Sequence, residues 1–577
     1  MRMSLRARAA ISVALTVLVV PLAGALAATP AEAAASLPCQ TSGAWKQGEL
    51  NVYWFDVEQG DSQLVVGPTG KTLLVDLGER AYNATGENTN AAMVAAQIRN
   101  ICGTGTTPVA LDYVMASHHH LDHIGYAKVP ADTQNYGNGL YQLLLPADQG
   151  GLGFTVGQVL DRDGGTWTDA NGNGRCDVGT AASPEPEVAW SNAGTTSQTA
   201  RRFICWLYGP AGQPDRAAVE GKVVRLTNAT AWPTLDLGGG AAAKVVMANA
   251  KGVMQADGTT PVSGDHTAAS VPPSENDYSV GLRVSYGGYS YATAGDSDGE
   301  YATSTFGYTY NDVEAKLIAA MGDVETVRAN HHGSGHSSSQ AYLDALTPQT
   351  GVISCGTNSY GHPANRTLDA FRGVGADVYL TNNPCDTEDG TGPIDYSGTL
   401  NGNGTVHLAT TGGGAGYTVD YDTGSKSYTN APGGGGGGAG DATAVRVNEV
   451  MMAPSKGNEW VELHNPTSST VDVSGYYVDD VAGGGGAPKQ IPAGTTIPAG
   501  GRWVFEFASG FLNNTGSESV RFVSGTGASE VQHDAFSWSL SSTKYDQVFH
   551  RVGDGGAWCA TISSAVTKGT ANPSTCP

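Results

Sequence analysis

Residues 118–123 read HHHLDH, four histidines and one aspartate in six positions of a chain with 13 histidines among 577 residues. Imidazole nitrogen and carboxylate oxygen, with no thiolate beside them, suit zinc, with manganese or iron as alternatives. The spacing adds direction. His118 and His120 lie two apart, so on extended backbone they project to one side. Asp122 and His123 follow at once, and a turn there aims them at a second point nearby. The pattern H-x-H-x-D-H thus offers two nitrogens to one cation and an oxygen plus a nitrogen to its neighbour. A solvated His-rich loop is the bland alternative, but the cluster directly follows LDYVMAS, a buried-type strand, and chance accounts for it poorly.

The elements that must position this loop alternate between strand and helix patterns. NVYWFDV, SQLVVG and KTLLVDLG read as strands, the last two joined by the turn GPTG. TNAAMVAAQIRNI has helical spacing, and LDYVMAS delivers the chain into the histidines. Further on, YSVGLRVSYGGYSYATAGD reads as a hairpin, DVEAKLIAAM as a helix, VETVRAN as a strand, SQAYLDAL as a helix and TGVISC as a strand. This order predicts an α/β sheet sandwich flanked by helices, with function on loops at strand ends.

Several motifs in this order resemble the metallo-β-lactamase fold hydrolases, and more closely the soluble hydrolase domain of ComEC-type DNA-uptake proteins. FDVEQGDSQLVV with LLVDLG is similar to the opening hairpin of that family, SHHHLDHIG to its metal loop, and ENDYSVGLRVSYGGYSYATAGD to the segment ending in its bridging aspartate. VRANHHGSGHSSSQAYLDALTP and GVISCGTNSYGHPANRTLDAF resemble its late histidine and Gly-His-Pro segments, so the likeness spans roughly residues 50–410.

The resemblance implies an αββα sandwich with two divalent ions, zinc or else manganese. His118 and His120 would hold one ion, Asp122 and His123 the second, with Asp296 between them. His331 or His332 would complete the second site. Asp56 would orient the metal loop from behind, its alternative being a strand-end turn aspartate. Asp122 belongs to the catalytic group, His362 and Ser334 would face substrate oxygens, and His336 is a further proton donor candidate. The sequence departs from many relatives in one respect: the only histidine between the metal loop and Asp296 is His266, in a loop-like stretch, so Asn276 or Asp277 takes its place.

The long segment before Asp296 contains DANGNGRCD, with Asp169, Asn171, Asn173 and Asp177 at positions 1, 3, 5 and 9 of a calcium-loop pattern. Position 12 is Thr180 rather than glutamate, and an Asx-turn loop held by a disulfide at Cys176 is the alternative.

Residues 1–35 have the layout of a secretory signal, with Arg2, Arg6 and Arg8 before an apolar run and small residues after it. No later apolar run is long enough to span a bilayer, so the expected location is extracellular. There the eight cysteines favour disulfides, and pairing sequence neighbours joins 39 with 102, 176 with 205, 355 with 385 and 559 with 576. The formal charge is −23; removing three Arg and one Glu with the signal leaves −23 − 2 = −25. A field of that sign opposes non-specific binding of polyanions.

The expected domains are a hydrolase domain over 48–430, a Gly-rich linker over 431–442 and a β-sandwich over 443–577. In this last part VRVNEVMM, NEWVELHNP and VDVSGYYVDD resemble the lamin-tail domain, an immunoglobulin-like all-β module. The resemblance implies an accessory that contacts an extracellular polymer, the envelope or nucleic acid.

Two divalent ions about 3.5–4 Å apart lower the pKa of a shared water toward roughly 7 and take the non-bridging oxygens of a phosphodiester. The expected function is therefore a secreted metal-dependent hydrolase using metal-bound hydroxide, and the resemblance to the ComEC domain implies that it is a phosphodiesterase or nuclease. The alternatives are an ester or lactone hydrolase at the same ions, and a non-catalytic surface or polymer-binding protein.

Overall fold

The computed structural model describes residues 36–129, 137–170, 172–176, 188–194, 196–228, 231–412, 416–429, 442–467, 471–492, 495–498, 500–507, 510–525 and 530–577. The signal segment, most of the Gly-rich linker, and Asn171 and Asp177 of the calcium-loop pattern lie outside the described residues.

Two large sheets face each other. The first runs, in spatial order, Gly424–Thr429, Gly416–Tyr421, Val406–Thr411, Glu49–Trp54, Gln63–Val66, Thr72–Val75, Ala110–Ala116, Thr155–Arg162 and Val223–Leu226. The second runs Leu400–Asn401, Asp377–Leu380, Thr350–Ile353, Thr326–Arg328, Tyr289–Thr293, Gly281–Tyr286, Ala241–Met247 and Thr234–Gly238. Alternation along each strand sets the layers. Leu50, Val52 and Trp54 point into a core shared with Leu235, Val245, Leu282, Val284 and Tyr291 of the opposite sheet. Tyr53, Leu64, Val66 and Leu74 point outward, under Val94, Ile98, Leu143 and Phe203. Those residues belong to helices Asn90–Ile101, Gly139–Leu144 and Gln198–Tyr208. The outer face of the second sheet is covered by helices Glu314–Met321, Gln340–Leu346 and Asn365–Gly373 through Leu317, Leu343, Leu368 and Phe371. The region before the Gly-rich stretch is therefore an αββα sandwich.

Local chemistry starts the helices where the sequence places them. The hydroxyls of Thr89, Ser197 and Ser339 accept from the N–H of Ala92, Ala200 and Tyr342, satisfying donors that a first turn leaves unpaired. Each sheet contains a parallel block. Thr72–Val75, Ala110–Ala116, Thr155–Arg162 and Val223–Leu226 form one. Tyr289–Thr293, Thr326–Arg328, Thr350–Ile353 and Asp377–Leu380 form the other. The loops leaving the carboxyl ends of parallel strands are where such sheets bind ligands. The metal loop, Asp296, His331 and His332 all lie on such loops.

Disulfides join Cys39 to Cys102, Cys176 to Cys205, Cys355 to Cys385 and Cys559 to Cys576, the pairing of sequence neighbours. Among the described residues no helix is long and apolar enough to cross a membrane.

The C-terminal part is antiparallel throughout. Arg502–Glu506, Trp460–His464, Arg446–Met451 and Val548–His550 make one four-stranded sheet. Lys489–Gln490, Tyr477–Asp479, Gly516–Ser524 and Val531–Leu540 make the other. Val447, Val461, Leu463, Val478, Val520, Phe522 and Trp538 fill the space between them. Glu459 and Glu449 accept backbone N–H bonds from Phe511 and Thr567, and Glu462 one from Gly569. All three acids thus brace loops.

Candidate metal centre

The Ala110–Ala116 strand ends against Asp76, which follows its parallel neighbour Thr72–Val75. Asp76 accepts from Ser117 N at 2.7 Å and Ser117 Oγ at 2.6 Å, which fixes where the loop leaves the sheet. His118 and His120 then turn to the same side, with 3.0 Å between His118 Nε2 and His120 Nδ1. His119 points the other way, its Nε2 2.8 Å from Asp161 Oδ1. The short helix Leu121–Ile124 brings Asp122 and His123 back over the sheet end. This turn packs so closely on Gly78 that a β-carbon there would lie 1.7 Å from the Asp122 carbonyl oxygen.

The second sheet supplies the other half. Asp296 Oδ2 stands 3.1 Å from His123 Nε2, 3.5 Å from His332 Nε2, 3.8 Å from His118 Nε2 and 4.0 Å from His331 Nε2. His332 Nε2 is also 3.5 Å from Asp122 Oδ2. Both His331 and His332 adopt left-handed backbone, with φ of 50° and 52°, uncommon for residues with a β-carbon and a recurrent mark of functional turns. Thus one carboxylate oxygen gathers four imidazoles from two loops. Of the His331/His332 pair, His332 groups with Asp122 and His123. His331 leans instead toward Asp298, at 3.0 Å, and Asn276 Nδ2, at 3.1 Å.

The outer partners of the rings decide which nitrogens face inward. His123 Nδ1 lies 2.8 Å from the Asp76 carboxylate, and His332 Nδ1 2.8 Å from the Ser354 carbonyl, so each donates outward. Ser117 Oγ gives its hydrogen to Asp76 and can only accept from His118 Nδ1, 3.1 Å away. His118, His123 and His332 consequently turn bare Nε2 lone pairs into the cluster. Two of these nitrogens, on His123 and His332, stand 3.2 Å apart, an approach that needs a proton or a metal ion between them. A cation resolves that opposition, and a donor set of imidazoles and carboxylates fits zinc or manganese.

In the metal-free chain, protons fill the same well. Burial disfavours a charged His332, yet Asp296, reinforced by the hydrogen bond to Asp122, raises it to about 9. Burial opposes ionisation of Asp296 too, but His123, His332 and His331 hold it well below the usual carboxylate range. Burial lowers His331 to about 4 and, helped by its histidine neighbours, His362 to about 3, so both rings are neutral at pH 7. Buried Arg328 braces the centre from beneath, 3.3 Å from Asp61 and 3.5 Å from Asp296.

The remaining expected residues divide. His362 stands beside His331, ring centroids 5.1 Å apart, and its buried Nδ1 has no hydrogen-bond partner among the described residues. Ser334 Oγ accepts from His336 N within its own turn, and His336 Nδ1 is 2.9 Å from Glu300. Asp277 accepts from Ser274 and Asn311 and is a brace. His266 lies in a loop where its carbonyl accepts from Ala269. Asp56 requires a correction: it accepts from Glu58 N in a strand-end turn, and the acid that holds Ser117 and His123 is Asp76. Asp169 and Asn173 accept from Gly174 and Arg175, as in an Asx-turn loop.

One further residue emerges only from the fold. Glu275 Oε1 accepts from His119 N at 3.0 Å and from Arg162 Nε at 2.8 Å, tying the segment before Asp296 to the metal loop. Its place in SENDYS, next to Asn276, was its only signal.

Residues 439–546 match the family model described as Lamin Tail Domain. The C-terminal sandwich is a lamin tail domain. No curated protein matches the chain. Similar solved structures include that of a metal-dependent hydrolase of the β-lactamase superfamily, 12% identical with a TM-score of 0.28 over 59% of this chain and 96% of that one.

Proposed function

We propose that this chain is a secreted metal-dependent phosphodiesterase, with nucleic acid as its substrate class, carrying a lamin tail domain for attachment to a polymer or envelope surface. The observation that carries the reading is the gathering of imidazole nitrogens and the Asp122 carboxylate around Asp296 Oδ2, a donor set that fits divalent cations. His118 and His120, flanked by His331, would hold one ion; Asp122, His123 and His332 the other; Asp296 would serve both. When bound, such ions lower the pKa of water and take up the charge of phosphate oxygens.

The chain's own groups do the rest. Asp76, Ser354 and Ser117 keep the rings in the tautomers that point nitrogen inward. Asp122, with a side chain 30% exposed, and the partly exposed His120 and His331 are the solvent-facing members of the centre. Beside His331, His362, neutral at pH 7, would offer a ring nitrogen to a phosphate oxygen. The four disulfides support an oxidising, extracellular setting.

The test is hydrolysis of bis-p-nitrophenyl phosphate, a lactone and plasmid DNA by wild type and Asp296→Asn, with metal content measured on both. Diester turnover lost with metal in the variant is expected. Lactone turnover without diester turnover overturns the phosphate assignment, and a metal-free, inactive wild type overturns the enzyme reading in favour of a binding protein.

A further inference from the structure

A file of aromatic rings runs through His331 of the candidate centre. From the tip of the hairpin formed by Ala302–Thr303 and Thr309–Tyr310, Phe306 stacks on Tyr308 at 6.2 Å and 17°. Tyr308 meets Tyr310 at 5.7 Å, and Tyr310 meets His331 at 6.4 Å. Beyond His331 come His362, at 5.1 Å, and Tyr360, 6.1 Å further. Both ends are in solvent: Phe306 is 78% exposed and Tyr360 69%.

The hairpin is pinned. Ser304 Oγ accepts from Phe306 N and Tyr308 N, Thr309 N donates to the Pro272 carbonyl, and Asn311 is held by Asp277. Phe306 is therefore presented on a braced turn, and an exposed ring of this kind is solvated at a cost that a bound partner would remove. The arginine beside the strip, Arg366, is committed to Glu300 and to the Gly335 carbonyl. The strip accordingly offers π-faces with little positive charge for a sugar-phosphate backbone.

From Tyr308 through Tyr310 and His331 to His362 the rings meet edge-on, at 67–74°, which leaves the exposed faces on Phe306 and Tyr360 at the two ends, and successive rings are 5.1–6.4 Å apart. That exceeds the ~3.4 Å rise per base of a duplex strand, whose bases are in any case stacked on each other. A single strand with splayed bases can lay a base on each exposed end ring, and bases stack on aromatic side chains irrespective of sequence.

We propose that the Phe306–Tyr360 strip is a stacking subsite for the bases flanking the scissile phosphate, which makes single-stranded nucleic acid the preferred substrate. The inference rests on the phosphodiesterase reading. It reconciles that reading with the acidic chain, because recognition falls on base faces while the charge of one phosphate is met at the metal centre.

The test compares a ten-residue thymidine oligonucleotide, an abasic oligomer of equal length and the corresponding duplex, with wild type, Phe306→Ala and Tyr360→Ala full-length protein. For wild type, KM for the thymidine oligomer should lie on the order of tenfold or more below that for the abasic one, stacking contributing ~1–3 kcal/mol per base. Each variant should narrow this gap, through KM rather than kcat, with its thermal midpoint checking the fold. Equal KM for the two oligomers in wild type, preference for the duplex, or a gap unaltered in both variants overturns the subsite. Failure of the wild type to cleave bis-p-nitrophenyl phosphate or any oligomer overturns the phosphodiesterase reading and the subsite with it, a result distinct from cleavage without discrimination.

Discussion

Replacing Asp76 by Asn should weaken metal binding by ~10–100-fold, the usual effect of losing a partner that orients a metal-binding histidine. The carboxylate accepts three hydrogens, from Ser117 N at 2.7 Å, Ser117 Oγ at 2.6 Å and His123 Nδ1 at 2.8 Å. An amide retains one accepting oxygen and turns an NH2 group toward at least one of those donors. His123 then no longer has a fixed tautomer, and part of its population presents N–H to the cluster instead of a lone pair. The same range corresponds to ~1.4–2.7 kcal/mol of binding free energy, a factor of ten being 1.4 kcal/mol. Loss of a hydrogen bond to a buried charged group should also lower the stability of the metal-free fold by ~1.5–3 kcal/mol. Asp56→Asn is the control, because Asp56 serves the Glu58 turn, and its metal affinity should stay within about twofold of wild type, as surface-type changes away from a site usually do. Competition with a chromophoric chelator measures both variants. An Asp56→Asn protein that binds metal more weakly than Asp76→Asn would refute the reasoning.

Metal affinity should fall as pH falls. His123 is raised in the metal-free chain and His332 lies at about 9, so at neutral pH a cation must displace their protons. The apparent dissociation constant should rise ~10-fold per pH unit for each proton displaced, as isothermal titration at pH 6, 7 and 8 can show. The sign for stability runs opposite: a folded-state pKa raised from 6.5 to about 9 stabilises the metal-free fold below pH 6.5 and ceases to do so as pH rises through 9. Gly78→Ala should reduce metal content and thermal midpoint together, because its β-carbon would meet the Asp122 carbonyl at 1.7 Å, and an unchanged metal stoichiometry would contradict this. Deleting residues 443–577 should spare turnover of a small diester, measured as kcat, if the lamin tail domain serves only attachment.

Much of this fold was legible because each strand carries a plain alternation. In NVYWFDV, Val52 and Trp54 face the inter-sheet core while Tyr53 and Phe55 face the helices, as a two-residue period requires. The same period placed His118 with His120 and turned His119 away, toward Asp161. What the sequence could not reveal is which strands are neighbours. Asp56 and Asp76 are both acids at strand ends, but the Glu49–Trp54 strand is separated from Ala110–Ala116 by two others, three spacings or roughly 14 Å away. Of these two, only Thr72–Val75, the strand before Asp76, lies alongside Ala110–Ala116, so Asp76 rather than Asp56 reaches Ser117. Glu275 escaped notice for the same reason: its bond to His119 N spans 156 residues. His331 and His332 were inseparable in the sequence, and it is their two left-handed turns that send one ring to Asp122 and the other to Asp298.

Anomalous X-ray diffraction from crystals grown with zinc or manganese tests the central claim most directly. Two peaks are expected about 3.5–4 Å apart, one beside His118 and His120, the other beside Asp122, His123 and His332, with Asp296 between them. Peaks elsewhere, or none at Asp296 while His123 and His332 keep their 3.2 Å approach, would contradict it.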